Sequence, residues 1–306
     1  MTDRLELREL FRQGILDKHS YSKAILVKHA VLAEYSALLS GSDIKHIEIN
    51  SDGVWVHSSL APICVELDLL DRGTPGMAAL NFGNYERTEF NMWRRLVPSA
   101  ASIADIGANI GWYSAHWAAL DSEARVIAFE PVPSTFRGLQ RTVARNRLSN
   151  ITAEPLGVSE KDGKLEIFVD PSIAGAASAH PSVYAATSNP VCVQVIQLDN
   201  YASQHNLHFD ALKIDVEGGE LAVLKGATQV LTRDRPILLV EMLRRHARAF
   251  GYHPNDIIAF MKPLGYRCYF VNEDHLLEFT QMDEETIETN FFFIHESKKV
   301  PAAVFS

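Results

Sequence analysis

The chain has 306 residues, 47% hydrophobic and 22% charged, the balance of a globular protein large enough to bury a core without disulfide or metal staples. A formal net charge of -9 repels phosphate backbones and excludes nucleic acid as the main partner. Three scattered cysteines (Cys64, Cys192, Cys268), a charged N-terminus without a signal-peptide core, and no apolar run of the ~20 residues that span a bilayer together give a cytoplasmic expectation with no membrane span.

In chain order, residues 3 to 40 carry a helical repeat that Gly41 ends. Residues 44–49 and 54–60 read as a hairpin around NSDG, and 64–70 as a third short strand. DRGTPG at 71–76 is a turn or linker, and a helical pattern runs from Glu86 to Pro98. From residue 101 strands and helices alternate: strands at 101–107, 125–131, 150–158, 164–170, 191–198, 209–215, 236–241, 266–271 and 290–296. Helices fall at 110–120, 134–147 with Ser134 as N-cap, 219–232 and 254–263, and Asp199 caps a further short one. The basic run RRHAR at 244–248 reads as a solvated helix face.

This alternation predicts an α/β protein with a parallel sheet covered on both faces. Residues 272–289 are acidic and irregular and leave no helical crossover, so the final strand should be antiparallel. Two domains follow: an N-terminal helical and hairpin extension, residues 1–80, and a sheet domain, residues 81–306.

Ligands of open parallel sheets bind beyond the carboxyl ends of the strands. IADIGANIGWYS (103–114) lies at such an end. Gly107 permits a sharp turn, and Gly111 permits close packing or ligand approach. The Gly-x-x-x-Gly spacing departs from the Gly-x-Gly-x-x-Gly of dinucleotide binders. Asp105 would repel a pyrophosphate and welcome an ammonium group, which suggests S-adenosylmethionine. Glu130 ends the next strand, where a carboxylate can accept from both hydroxyls of a ribose. In ALKIDVEGGE (211–220) Asp215 and Glu217 sit at another strand end, and Glu241 ends the one after. Each feature alone has a bland explanation: packing glycines, or acids at helix N-termini. Jointly, at successive strand ends, they describe a site.

DIGANIGWYS, FEP, LKIDVEGGE with VLKGA, PILLVE and, upstream, FGNYERTEF resemble the FkbM family of S-adenosylmethionine-dependent methyltransferases over roughly residues 82–296. The resemblance implies the class I methyltransferase fold, a Rossmann-like seven-stranded sheet with its last strand antiparallel. It implies O-methylation of hydroxyls on sugars, polyketides and related metabolites, so the expected partner is a small-molecule or saccharide acceptor. By position it implies that Asp105, Gly107, Asn109 and Gly111 cradle the methionine part of the cofactor, while Glu86, which with Tyr85 takes the place of the family's Gly-x-Tyr-Glu segment, is a further cofactor-binding residue. Glu130 would hold the ribose, residues 155–158 with Gly157 the adenine wall, and Asp215 would lie nearest the methyl. Gln140 and Asn146 read as helix-surface residues.

The acceptor hydroxyl must lose a proton. Asp215 and Glu217 are the candidate bases, with Glu241 assisting; a divalent metal such as magnesium, held by these acids, is the alternative means. His246 reads as a solvent-facing helix histidine. His180 and Tyr184 of the small-residue loop 171–190 reach toward the acceptor if that loop is a lid. Trp55, Trp93 and Trp112 stack on a sugar or, more in keeping with their type, pack in the core. The extension is a cap or a homodimer contact. The competing readings are a dinucleotide-dependent oxidoreductase and a non-catalytic scaffold that keeps the fold.

Overall fold

The strand order decides which side chains meet. The computed structural model describes residues 3–69, 73–169, 177–180 and 190–305. The extension begins with α1 (Asp3–Arg12) and α2 (Lys18–Leu39), two helices where one zone was expected. They part at Asp17, whose carboxylate accepts the Ser20 N–H at 2.9 Å and caps α2. β1 (Ile44–Asn50), β2 (Gly53–Ser58) and β3 (Cys64–Glu66) make a small antiparallel sheet. Then come α3 (Pro75–Phe82), which the sequence reading had not foreseen, and α4 (Arg87–Leu96).

The alternating part opens with β4 (Ser102–Ile106), α5 (Trp112–Leu120), β5 (Arg125–Phe129), α6 (Pro133–Asn146) and β6 (Ile151–Glu154). A second set of short strands follows: β7 (Gly157–Val158), β8 (Gly163–Val169), β9 (Ala177–Ser178) and β10 (Pro190–Ile196). Next are α7 (Leu198–Gln204), β11 (Ala211–Ile214), α8 (Glu220–Lys225), α9 (Thr228–Asp234) and β12 (Ile237–Glu241). The chain closes with α10 (Arg244–Ala249), α11 (Pro254–Met261), β13 (Tyr266–Asn272), β14 (His275–Phe279) and β15 (Asn290–His295).

The large sheet has the order β14-β13-β15-β12-β11-β4-β5-β6. β6, β5, β4, β11 and β12 are parallel, and β15 runs antiparallel to both β12 and β13. This is the expected seven-stranded arrangement plus an eighth edge strand. β14 lies within the stretch read as irregular; Glu273, in the left-handed region at φ 53°, turns β13 back into it. The expected strand 150–158 breaks at Pro155, which has no N–H to give a ladder, so β6 stays in the large sheet and β7 joins a four-stranded side sheet β7-β10-β8-β9. β8 and β10 bury only alternate residues, the mark of strands with one wet face, and they too lie in that side sheet. The helix expected at 219–232 is two, broken at Gly226, where a Cβ would stand 2.1 Å from the Ser159 carbonyl oxygen. Asp199 does not cap its own helix; its carboxylate accepts the Gln229 and Val230 N–H groups of α9 at 2.9 Å each. Ser134 lies inside α6, whose N-cap is Val132.

Strand alternation divides the core in two. Ile103, Ala211, Ile237, Leu239 and Phe292 face one apolar cluster with Phe90, Trp93, Trp112 and Trp117. Ala104, Leu212, Ile214, Leu238, Val240 and Phe293 face the other, under α7, α8, α9 and α11. The first cluster also takes in Val56, Ile63 and Val65 of the small sheet. Asn146, expected on the surface, holds that sheet instead: its amide accepts the Cys64 N–H at 2.8 Å and donates to the Cys64 carbonyl at 2.7 Å. Gln140 is exposed, as expected. Trp55, Trp93 and Trp112 are all buried, at 4%, 1% and 3% exposure, which leaves none of them for a sugar face.

Candidate active site

A cavity of about 540 Å³ opens beyond the carboxyl ends of β4, β5, β11 and β12, within the usual size range of small-ligand sites. Its lining includes Gly107, Asn109, Glu130, Gly157, Asp215, Glu217 and Glu241. The carboxyl ends of four parallel strands thus contribute to one space.

The β4 end is shaped by backbone. Gly107 has φ 84°, and a Cβ there would sit 1.8 Å from the Asp215 carbonyl oxygen, so only glycine lets the β4 and β11 turns touch. The Gly107 and Ala108 N–H groups both donate to the Phe129 carbonyl, at 3.0 and 2.9 Å. Asn109, also left-handed at φ 53°, directs its N–H to Glu130 Oε2 at 3.0 Å. Val132 N–H donates to Glu130 Oε1 at 2.8 Å. Glu130 is therefore fixed from both sides. Burial pushes its pKa up to about 7 despite these two donors. Leu156, Val158, Ile167, Val195 and Phe250 give this part an apolar wall; of residues 155–158 Pro155 stands outside it.

Three residues assigned to cofactor contact on sequence grounds are not among the lining residues: Glu86, Asp105 and Gly111. Asp105 belongs to the face of Ile103, so its carboxylate lies under α5, where the Ser114 hydroxyl donates to it at 2.5 Å. Gly111, φ 86°, is a packing residue, since a Cβ would meet the Leu139 side chain at 2.6 Å. Glu86 opens α4 and accepts from the Tyr113 hydroxyl at 2.6 Å and the Asn290 amide at 3.0 Å. Its neighbour Tyr85 lines the cavity in its place.

The β11 end is shaped by charge. Lys213 faces Asp105 across the β4–β11 ladder, and Asp215 lies two residues on, hence on the same face. The Lys213 ammonium, 4% exposed, donates to Asp215 Oδ2 at 2.8 Å and lies 4.9 Å over the Tyr113 ring. Burial works against its charge, but Asp215, Asp105 and Glu86 outweigh it and hold the pKa above the usual lysine value. Sequence reasoning passed over Lys213, although a lysine inside the apolar strand ALKI was the available signal. Glu220 was also passed over: its carboxylate accepts the Val216 and Gly218 N–H groups at 3.2 and 2.9 Å and the Tyr252 hydroxyl at 3.0 Å, closing the turn that aims Glu217. Glu217 is left-handed at φ 55°, and its carbonyl accepts from the Ser178 hydroxyl at 2.8 Å. Glu241 is held well above the usual carboxylate range by burial and by the charges of Asp215 and Glu217.

His246 is not solvent-facing. It is 2% exposed, with Nδ1 2.9 Å from Glu217 Oε2 and Nε2 2.9 Å from an Arg245 guanidinium nitrogen. RRHAR is accordingly no simple solvated face, because Arg245 lines the cavity. Within the loop 171–190, Ala177 and Ala179 line the cavity and the His180 ring lies 5.8 Å from that of Phe250; Tyr184 falls outside the described residues. Among the described residues no helix is long and apolar enough to cross a membrane.

A family model for the methyltransferase FkbM domain matches residues 105–268. The chain is 33% identical over 156 residues to hexuronic acid methyltransferase AglP of Haloferax volcanii, covering 50% of this chain and 58% of that protein. It is 30% identical over 162 residues to methyltransferase sdnD of Sordaria araneosa, covering 44% and 62%. Methyltransferase 1 of Beauveria bassiana is 28% identical over 147 residues, 42% of this chain and 59% of that protein. The chain thus spans about 60% of the length of these curated relatives. Among solved structures, methyltransferase FkbM from Methylobacillus flagellatus KT is similar at a TM-score of 0.42 and 18% identity, over 74% of this chain and 55% of that one. The matched segment, more than half of the chain, carries the glycine turn, Glu130 and all three rim acids, and the chain belongs to the FkbM family of methyltransferases.

Proposed function

We propose that the protein is an S-adenosylmethionine-dependent O-methyltransferase acting on a hydroxyl of a saccharide or other small metabolite. The observation that carries this reading is the position of Glu130 and Asp215 on the wall of one cavity, with the glycine turn between them. The fit of the cofactor rests on Glu130. A carboxylate has about four lone-pair sites; two are taken by Asn109 and Val132, and two remain for the vicinal hydroxyls of a ribose. The apolar wall of Leu156, Val158 and Phe250 suits adenine. Gly107 and Asn109 receive the amino-acid part, and Asp215 with Glu241 favours the positive sulfur. Bound S-adenosylmethionine supplies a methyl group on a sulfonium, which needs no further activation.

The chain's own residues supply alignment and a proton acceptor. Asp215 is anchored by Lys213 through one oxygen, which leaves the other for the acceptor hydroxyl. Asp215 would accept the hydroxyl proton as the methyl passes from sulfur to oxygen and S-adenosylhomocysteine leaves, with Glu217 as the alternative acceptor. Glu241, on the same cavity wall, assists by orienting the acceptor. A saccharide acceptor is supported by the hexuronic acid methyltransferase among the relatives.

The test is transfer of labelled methyl from S-adenosylmethionine to a panel of hydroxylated acceptors that includes hexuronates. Wild-type protein transfers label, and Asp215→Asn does not while still folding and binding S-adenosylhomocysteine. Transfer at the wild-type rate by Asp215→Asn removes the assignment. A rise in melting temperature with NAD but not with S-adenosylhomocysteine would support the dinucleotide reading instead.

A further inference from the structure

We propose that Glu217, Glu241 and His246 form a site for one first-row divalent cation such as Mn2+, at the acceptor end of the cavity; this rests on the methyltransferase reading of the same site. The three residues come from three elements: the left-handed turn after β11, the last residue of β12, and α10. One ligating atom from each lies within 4.8 Å of the other two. An imidazole with two carboxylates suits Mn2+ and its first-row neighbours better than Ca2+, which prefers oxygen alone.

The spacing of the atoms supports a shared ion. Glu217 Oε2 stands 2.9 Å from His246 Nδ1, an ion-pair approach without hydrogen-bond alignment. Two atoms bound at right angles to one ion at ~2.1 Å lie ~3.0 Å apart, so the approach has the length of an edge of a coordination polyhedron. Charge agrees with geometry. Asp215, Glu217 and Glu241 crowd one end of the cavity, where among the described residues Lys213 and Arg245 are the cations beside them. A dication offsets the excess. Glu217 and Glu241 line the cavity while His246 lies behind them, so the remaining coordination positions face the acceptor. A ring bound through Nδ1 carries its proton on Nε2, so that nitrogen no longer accepts from Arg245.

The test is titration of chelator-treated full-length protein with Mn2+, read as loss of the free-ion electron paramagnetic resonance signal. The expected result is one Mn2+ per chain, with affinity reduced at least about tenfold in Glu217→Gln and in His246→Gln, and unchanged in the surface control Glu160→Gln. Should the buried His246→Gln fail to fold, Glu217→Gln decides alone. No stoichiometric binding by wild type overturns the site, as does equal affinity in wild type and Glu217→Gln, which would mean an adventitious ion only. S-adenosylhomocysteine is titrated into the same samples. Its binding without Mn2+ binding removes the metal site alone, and its failure to bind removes the methyltransferase reading whatever Mn2+ does.

Discussion

At the β4–β5 end of the cavity the shape is set by backbone; at the β11–β12 end it is set by charged side chains. Gly107, Asn109 and the amides around Glu130 leave almost no freedom, because one extra carbon at Gly107 would collide with the Asp215 carbonyl. At the other end Lys213 holds Asp215 and faces Asp105 and Glu86, and Glu217, Glu241 and His246 crowd together. The first end suits a ligand that is always the same. The second is a cluster of titratable groups whose behaviour depends on what enters it, as expected where protons move.

The largest expected effect tests the rigid end. Gly107→Ala forces a clash of backbone with backbone at φ 84° and should lower stability by more than about 4 kcal/mol or prevent folding, measured by chemical denaturation. Wild-type stability would mean that the turns are not pressed together. Next comes the charged end. Lys213→Met strands buried carboxylates and should cost about 3–5 kcal/mol in the same assay. A loss under 1 kcal/mol, on the order of a surface pair, would show that Lys213 does not organise the acids.

A pH experiment sharpens the comparison. The folded protein holds Glu130 at about 7, above its ordinary 4.5, so folding favours the protonated acid. Its contribution is fully present below pH 4.5 and is lost as pH rises through 7, a change of up to about 3 kcal/mol. Glu130→Gln should remove this part of the downward slope of stability between pH 4.5 and 7, measured as the difference between the two proteins' denaturation free energies across that range. An unchanged slope would mean that the burial cost lies elsewhere. The smallest effect lies outside both ends. Asn146→Ala breaks two hydrogen bonds to Cys64 and should cost about 1–2 kcal/mol while leaving S-adenosylhomocysteine affinity unaltered.

The same contrast explains how far the sequence could be read. Gly107 and Glu130 were legible because local rules govern them: a strand, a turn that needs positive φ, and an acid about 20 residues on; Asn109 came only from the family resemblance. The parallel run of the large sheet followed from alternating strands and helices, but its strand order did not. Asp105 was misplaced because alternation, not nearness to the strand end, decides where its carboxylate lies; Ile103 and Asp105 share a face, and that face lies beneath α5. His246 was misread because its partner comes from another element, whereas Lys213 was missed although its partner Asp215 lies two residues on. Nothing in RRHAR announces Glu217, which is separated from His246 by β12. β8 and β10 were recognised as strands, but which sheet they join depends on pairings that no local pattern encodes.

The most direct test of the divided cavity is S-adenosylhomocysteine affinity, by calorimetry, for wild type, Glu130→Ala and Asp215→Asn. The account predicts binding to wild type, a loss of at least about tenfold, or 1.4 kcal/mol, in Glu130→Ala, and near wild-type binding in Asp215→Asn, since the product lacks the methyl and its charge. Wild-type affinity in Glu130→Ala would contradict it.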